Sequence, residues 1–295
     1  MNPGGQSLHV SAFGQSDIGL VRKNNEDSFL IIDFMDREGA PSSSARNFVA
    51  GEKGGLLMVA DGMGGAEAGE VASQMAVELV CRYLRMQNCS NRQTFVRSLK
   101  KSIEQANRTI HQESKKNPAR SGMGTTLTAA ALFSGELFFA QVGDSRGYLV
   151  RNDSIAQMTQ DQSLVAQLVA SGALSPAKAK VDPRRNVILQ ALGVEKQVNV
   201  VVSVAELRRG DWAILCSDGL SGKVEGEEMP GILKTSSGPD EACAQMIELA
   251  KQRGGEDNIT VIVAKFDGEN LPLPDPSEAP TYVEFKEESR SLFWL

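Results

Sequence analysis

Apolar residues in this chain come in short blocks, and most blocks stop at a glycine or an aspartate. Blocks rich in Val, Ile, Leu and Phe between such stops predict strands. They fall at 8–14 (His9-Val10-Ser11-Ala12-Phe13), 28–33, 56–60, 127–133, 137–142, 148–151, 187–192, 198–204, 211–217 and 259–266. Helical spacing is confined to a few stretches. Residues 67–86 place Val71, Met75, Leu79, Val80 and Leu84 on one stripe, and 94–116 repeat it through Phe95, Val96, Leu99, Ile103, Ala106 and Ile110. Residues 241–251 form a third helix. Residues 161–180 read as a packed helical excursion, broken at Ser175-Pro176 and followed by Asp182-Pro183. The Gly/Ser/Ala-rich stretch 36–55 reads as an exposed, mobile insertion. Beyond Phe266, four prolines predict a disordered or loosely docked tail; its apolar end, Leu292-Phe293-Trp294-Leu295, reads equally as a frayed terminus or as a segment that docks on this chain or on a partner.

The strand ends carry the chemistry. Leu56-Leu57-Met58-Val59-Ala60-Asp61-Gly62-Met63-Gly64-Gly65 is a buried strand that delivers Asp61 into a turn where backbone can approach closely. The theme returns at Gly143-Asp144-Ser145-Arg146-Gly147 and at Cys216-Ser217-Asp218-Gly219. Asp257, in Gly255-Glu256-Asp257-Asn258, stands at the start of a strand rather than its end. Asp-Gly is also a common turn dipeptide, so each acid alone reads equally well as a turn, as Asp267-Gly268 does. One sheet rim could gather all four. Four ionised carboxylates packed together repel, and some must protonate unless cations neutralise them. Hard oxygen ligands without His or Cys point to magnesium or manganese.

Composition narrows the class. The hydrophobic content of 41% and charged content of 23% are those of a soluble globular protein. No apolar run approaches the length of a membrane span, and the polar start Met1–Gln6 does not resemble a signal peptide. From Asp267 onward seven acids face only Lys286 and Arg290, a balance of −5 out of the total −6. The body is therefore nearly neutral, without the basic field that nucleic acid requires. Cys81, Cys89, Cys216 and Cys243 show neither zinc nor disulfide spacing and read as reduced cytosolic thiols. The sixth residue after each is Gln87, Phe95, Gly222 or Leu249, never Arg, which excludes a cysteinyl-phosphate route.

Seven motifs, each weak alone, stand in one order. They are Ser16-Asp17-x-Gly19-x-Val21-Arg22-x-x-Asn25-Glu26-Asp27-Ser28, Asp61-Gly62-Met63-Gly64-Gly65, Gly122-Met123-Gly124-Thr125-Thr126, Gly143-Asp144-Ser145-Arg146, Asp161-Gln162-Ser163-Leu164-Val165, Ser217-Asp218-Gly219-Leu220 and Asp257-Asn258-Ile259-Thr260. In this order they resemble the metal-dependent serine/threonine protein phosphatases of the PPM (protein phosphatase 2C-like) family, bacterial single-domain type. The resemblance covers about residues 8–266. It implies an α+β fold, a four-layer α-β-β-α sandwich of two antiparallel sheets flanked by helices, with metals in the cleft at one end. It divides the chain into a catalytic domain, 1–267, and an acidic tail, 268–295. It implies hydrolysis of phosphoserine and phosphothreonine by a metal-bridging hydroxide, using two Mn²⁺ or Mg²⁺ ions and a weaker third.

The same resemblance assigns roles. Asp61 would bridge two ions and the Gly62 carbonyl would ligate one. Asp218 and Asp257 would complete the first shell, and Asn258 would support them without touching the ion. Glu26 and Asp27 would act largely through bound water, Asp144 would hold the third ion, and Arg22 would grip the phosphate, for which a guanidinium fork is suited. Phosphorylated proteins of a cognate serine/threonine kinase are the implied partners, and a cytoplasmic monomer without nucleic acid or membrane span is expected.

One departure bears on mechanism. Many family members carry histidine where this chain has Met63, and bacterial relatives often have one just after the glycine pair, where this chain has Ala66. His9 and His111 lie in no motif, and His111 reads as a surface residue. Leaving-group protonation is then left to water or another residue, and turnover is expected to be modest. The alternative is a catalytically weak PPM-fold regulatory binding protein, against which the retention of Asp61, Asp218 and Asp257 weighs. A metal-dependent nuclease or nucleotide hydrolase is disfavoured by the neutral body and the absence of a Walker loop.

Overall fold

In a computed structural model that describes residues 8–34, 45–50, 54–64 and 68–287, the apolar blocks become two stacked antiparallel sheets. The strands are β1 (Leu8–Asp17), β2 (Asp27–Asp33), β3 (Ala45–Ala50), β4 (Gly55–Met63), β5 (Gly124–Thr125), β6 (Leu127–Phe133), β7 (Glu136–Val142), β8 (Arg146–Arg151), β9 (Ser154–Gln157), β10 (Val201–Glu206), β11 (Trp212–Cys216) and β12 (Ile259–Asp267). One sheet runs β3-β1-β12-β11-β8-β9 and the other β10-β7-β6-β4-β2, with β5 paired to β4 off that path. The helices are α1 (Ala68–Arg85), α2 (Arg92–Lys116), α3 (Leu164–Ala170), α4 (Pro176–Ala179), α5 (Asp218–Ser221), α6 (Met229–Thr235) and α7 (Pro239–Gln252).

Three apolar clusters mark the three interfaces of a four-layer sandwich. Leu56, Met58, Ala131 and Phe138 face Ala72, Val80, Leu99 and Ile103 of α1 and α2. Leu57, Val59, Leu149, Leu215 and Ile262 meet between the sheets. Ile214, Val261 and Val263 pack on Leu220, Met229, Met246 and Ile247 of α5 to α7. Strands buried on both faces explain the continuous apolar runs, since neither face is left to water. The α-β-β-α expectation holds.

Several local expectations do not. The 36–55 stretch contains β3, which pairs with β1 in the register Val10↔Phe48; residues 35–44 and 51–53 lie outside the described residues. Residues 187–192 form no strand and touch the fold through isolated bridges, Ser163↔Ile188 and Thr125↔Leu192. The 161–180 excursion is helical as expected but not packed, because neither α3 nor α4 buries a residue. Helix α2 begins at Arg92, two residues early. Asn91 Oδ1 accepts from Thr94 N at 2.9 Å and Thr94 Oγ1 accepts from Asn91 N at 3.1 Å, a capping box that fixes the start.

The tail is held as far as residue 287. Val204 N donates to Val283 O at 2.9 Å and Phe285 N to Val202 O at 2.8 Å, so this segment lines the β10 edge. Phe285 is buried, edge-on to Phe138 and beneath the Arg92 guanidinium. Buried Arg151 forks onto Asp211 at 2.9 and 2.7 Å and reaches Glu278 Oε1 at 2.6 Å, so the tail completes the pairing of a charge that would otherwise be costly to bury. Residues 291–295, with the apolar terminus, lie outside the described residues.

Candidate active site

The acids meet at one end of the sandwich, and they come from both sheets rather than from one rim. In the second sheet, β2 and β4 pair with Asp27 opposite Asp61. Gly62 N donates to Glu26 O at 3.1 Å. Only glycine fits at Gly62, where a Cβ would overlap the Gly69 backbone and the Glu26 carbonyl, and a Cβ at Gly69 would displace the Glu26 carboxylate. Glu26 thus lies over the first turn of α1, where the helix dipole favours negative charge. From the first sheet, β11 leads into Ser217 and then Asp218, the first residue of α5 rather than a strand end. Ser217 Oγ donates to Asp27 Oδ2 at 2.7 Å and accepts from Thr260 N at 3.0 Å, tying the two sheets together. Asp144 sits in the turn between β7 and β8, and Asp257 just before β12.

The loop bearing Arg22 is fastened by Asn258. Its Nδ2 donates to Ile18 O and Asn24 O, both at 3.0 Å, and its Oδ1 accepts from Glu26 N at 2.9 Å. Gly19 takes φ +78° and lies so close to the Asp257 carbonyl that a side chain would not fit. Leu20 N donates to Gly255 O at 2.7 Å. Arg22, half exposed, places Nη2 2.8 Å from Asp257 Oδ2.

Electrostatically the site is strained by like charge. Burial pushes Asp27 up to about 7, with Asp218 and Asp257 adding to it against hydrogen bonds from Thr260 and Ser217. Burial likewise brings Asp144 to about 7, helped by Asp218 and Asp161. Asp61 rises well above the carboxylate range through burial and then through Asp27, Asp218, Asp144 and Asp257. Asp218 is raised by burial and Asp257 while sharing a hydrogen bond with Asp61. Glu26 is raised by burial. Asp27 Oδ1 and Asp144 Oδ1 are buried without a hydrogen-bond partner. Carboxylate oxygens without donors, among acids that repel one another, fit a divalent cation. Among the described residues no three His, Cys, Asp or Glu side chains form a finished ligand set. An ion here would keep water in its shell, as magnesium and manganese sites do.

Asp27, Asp61, Asp144, Asp218 and Asp257 are thus neighbours, with Glu26, Arg22 and Asn258 around them. Both histidines are elsewhere. His9 pairs with Asp267 at the far end of β1, and His111, partly exposed, places Nδ1 3.1 Å from Gly193 O. Ala66 lies outside the described residues. Sequence reasoning missed the hydroxyls that frame the acids. Asp61 N donates to Thr126 Oγ1 at 3.0 Å, Thr125 Oγ1 donates to Asp61 O at 2.9 Å, and Thr126 Oγ1 meets Ser145 Oγ at 2.8 Å. Their signal was membership of two of the ordered motifs, 122–126 and 143–146, which carried no hint of what the hydroxyls bond.

Acids gathered where two packed antiparallel sheets meet, with a half-exposed arginine beside them, suit a cation-dependent phosphoryl hydrolase. The family model for Protein phosphatase 2C matches residues 36–259. The serine/threonine phosphatase stp of Listeria monocytogenes is 37% identical over 254 residues, 86% of this chain and 94% of that protein. The Streptococcus agalactiae serine/threonine phosphatase structure superposes with a TM-score of 0.76 at 32% identity, covering 86% of this chain and 98% of the other. The catalytic domain of the serine/threonine protein phosphatase PstP, in complex with two manganese ions, superposes with a TM-score of 0.72 at 35% identity, over 88% and 99%. The chain belongs to the protein phosphatase 2C family of metal-dependent enzymes and hydrolyses phosphoserine and phosphothreonine in proteins. The regulatory-binding alternative is not favoured.

Proposed function

We propose that catalysis runs through Asp61, with Asp61, the Gly62 carbonyl, Asp218 and Asp257 as direct ligands of two Mn²⁺ or Mg²⁺ ions. Glu26 and Asp27 act through water, and Asp144 takes a weaker third ion. When bound, the ions lower the pKa of water and offset charge on the phosphoryl group. The observation that carries this reading is the convergence of four acids, Asp27, Asp144, Asp218 and Asp257, around Asp61, two of them with buried, donor-free oxygens.

The chain's own residues do the rest. Arg22 presents its guanidinium to the phosphoryl oxygens, and one Nη2 contact to Asp257 leaves further N–H donors for them. Asn258 holds the Arg22 loop against Asp257, so substrate and cation subsites keep one spacing. Ser217 directs Asp27 into the cleft from the opposite sheet. With no histidine at the site, the leaving serine or threonine oxygen takes its proton from solvent. The catalytic unit is 1–267, and 268–295 is an acidic tail whose stretch up to residue 287 packs on it. The enzyme acts as a cytoplasmic monomer on targets of a cognate serine/threonine kinase. No helix among the described residues is long and apolar enough to cross a membrane.

Hydrolysis of a phosphothreonine peptide, with and without Mn²⁺, tests the reading. Activity should require the added ion and disappear in Asp61→Asn, whereas hydrolysis insensitive to chelator would overturn it.

A further inference from the structure

Two sequence features have no ligand or substrate role in this scheme: Arg146 and the Asp161-Gln162 pair. In the structure they meet behind Asp144. Arg146 Nε lies 3.1 Å from both Asp161 oxygens, and Nη2 lies 2.7 Å from Oδ2, a two-pronged fork. Gln157 Nε2 adds a donor to Asp161 Oδ1 at 2.9 Å. The next residue, Gln162, clasps the acidic turn: Gly143 N donates to Gln162 Oε1 at 2.8 Å, and Gln162 N donates to Gly143 O at 2.9 Å. From the sheet side, Gln141 Nε2 donates to Gly143 O at 2.8 Å and Ser145 O at 2.7 Å.

The Gly143–Ser145 backbone is therefore gripped from two directions, yet Asp144 Oδ1 is buried and has no partner. A buried carboxylate on a short turn, repelled by Asp218, by Asp161 and by Asp61, stays in place only if its backbone is held. Arg146 supplies charge of the right sign two residues away, but a fork directly onto Asp144 would compete with any cation there. Asp161 occupies that fork instead.

We propose that Arg146 and Asp161 are positioning residues: their ion pair, together with the Gln162 clasp, holds the Gly143–Ser145 turn so that Asp144 presents a free oxygen to a divalent cation. The proposal rests on the assignment of Asp144 as a cation ligand. Neither residue touches substrate, and both act through Asp144.

Mn²⁺ binding to the full-length chain, counted by the electron paramagnetic resonance of free Mn²⁺, separates the possibilities. Asp144→Asn should lose the weakest site. Asp161→Asn and Arg146→Lys should each weaken that same site by about 10-fold, the scale of residues that orient ligands, while the tighter sites move less than about twofold. In an Asp144→Asn background, Asp161→Asn should add nothing, because both changes act on one group. Wild-type binding in Asp161→Asn and Arg146→Lys would overturn the inference and leave the Asp144 assignment standing. So would weakening of all sites together with a fall in Tm, which marks a merely structural role. Full binding in Asp144→Asn would overturn both.

Discussion

The hydroxyls of Thr126 and Ser145 stand 2.8 Å apart, both fully buried, between the strand that carries Asp61 and the turn that carries Asp144. Thr126 Oγ1 also accepts from Asp61 N, so one hydroxyl fixes the spacing of two acids on separate elements. Thr126→Val keeps the shape and leaves the Asp61 N–H without its acceptor. An unsatisfied group of this kind costs about 1–3 kcal/mol. Urea unfolding should show that loss, with kcat falling more than KM changes. Unchanged stability and kcat would mean that the hydroxyl bridge does not set the site.

The docked tail makes a second prediction. Phe285 is buried against Phe138, and its neighbours Val283 and Glu284 line β10. Phe285→Ala should destabilise by about 3 kcal/mol, the lower end for a buried phenylalanine. Truncation after Asp267 should cost more, because Arg151 then loses Glu278 while remaining buried. Equal Tm values for the full and truncated chains would show the tail to be dispensable.

These elements show what a sequence makes legible. The strand into Asp61 was readable because an apolar run buried on both faces stops at Asp-Gly, although β4 runs on to Met63, so Asp61 lies within the strand and not at its end. The tail read as either disordered or loosely docked because prolines signal disorder, whereas its docking depends on Phe285, on Glu278 against Arg151 and on the partners that β10 offers it. Residues 187–192 have strand composition but no continuous neighbour, and pairing needs a neighbour. Ser217 and Thr126 gave no signal of their role, since a hydroxyl's partner is decided only when distant strands are brought together. The acids were expected at one rim because sequence does not show which sheet a strand joins.

Arg22 separates substrate binding from cation binding. Its ion pair with Asp257 is exposed, and such pairs are worth about 0–1 kcal/mol. Arg22→Ala should therefore shift Mn²⁺ affinity by less than about fivefold. Loss of the phosphate contact should raise KM for a phosphopeptide by about 10-fold or more, the scale of a charge-assisted hydrogen bond. Calorimetry of Mn²⁺ binding beside steady-state kinetics checks both. Loss of cation binding with KM intact would place Arg22 in the cation site instead.

Burial of the acids, with their mutual repulsion after it, gives stability an inverted pH dependence when cations are chelated. Burial first, and neighbouring carboxylates after it, bring Asp27 and Asp144 to about 7. An unfolded aspartate titrates near about 3.9. Between about pH 4 and 7 the folded chain therefore holds protons that the unfolded chain has released, and by linkage stability falls as pH rises through that window. Cations replace those protons and are bound more tightly once the protons leave. In chelator, Tm should drop from near pH 5.5 to near pH 8, and the rise in Tm on adding Mn²⁺ should be larger at the higher pH. Asp144→Asn should flatten the chelated profile, because an amide has no proton to lose. A chelated protein whose Tm climbs across this range, with the same slope in Asp144→Asn, would show that the buried acids are not the groups that govern it.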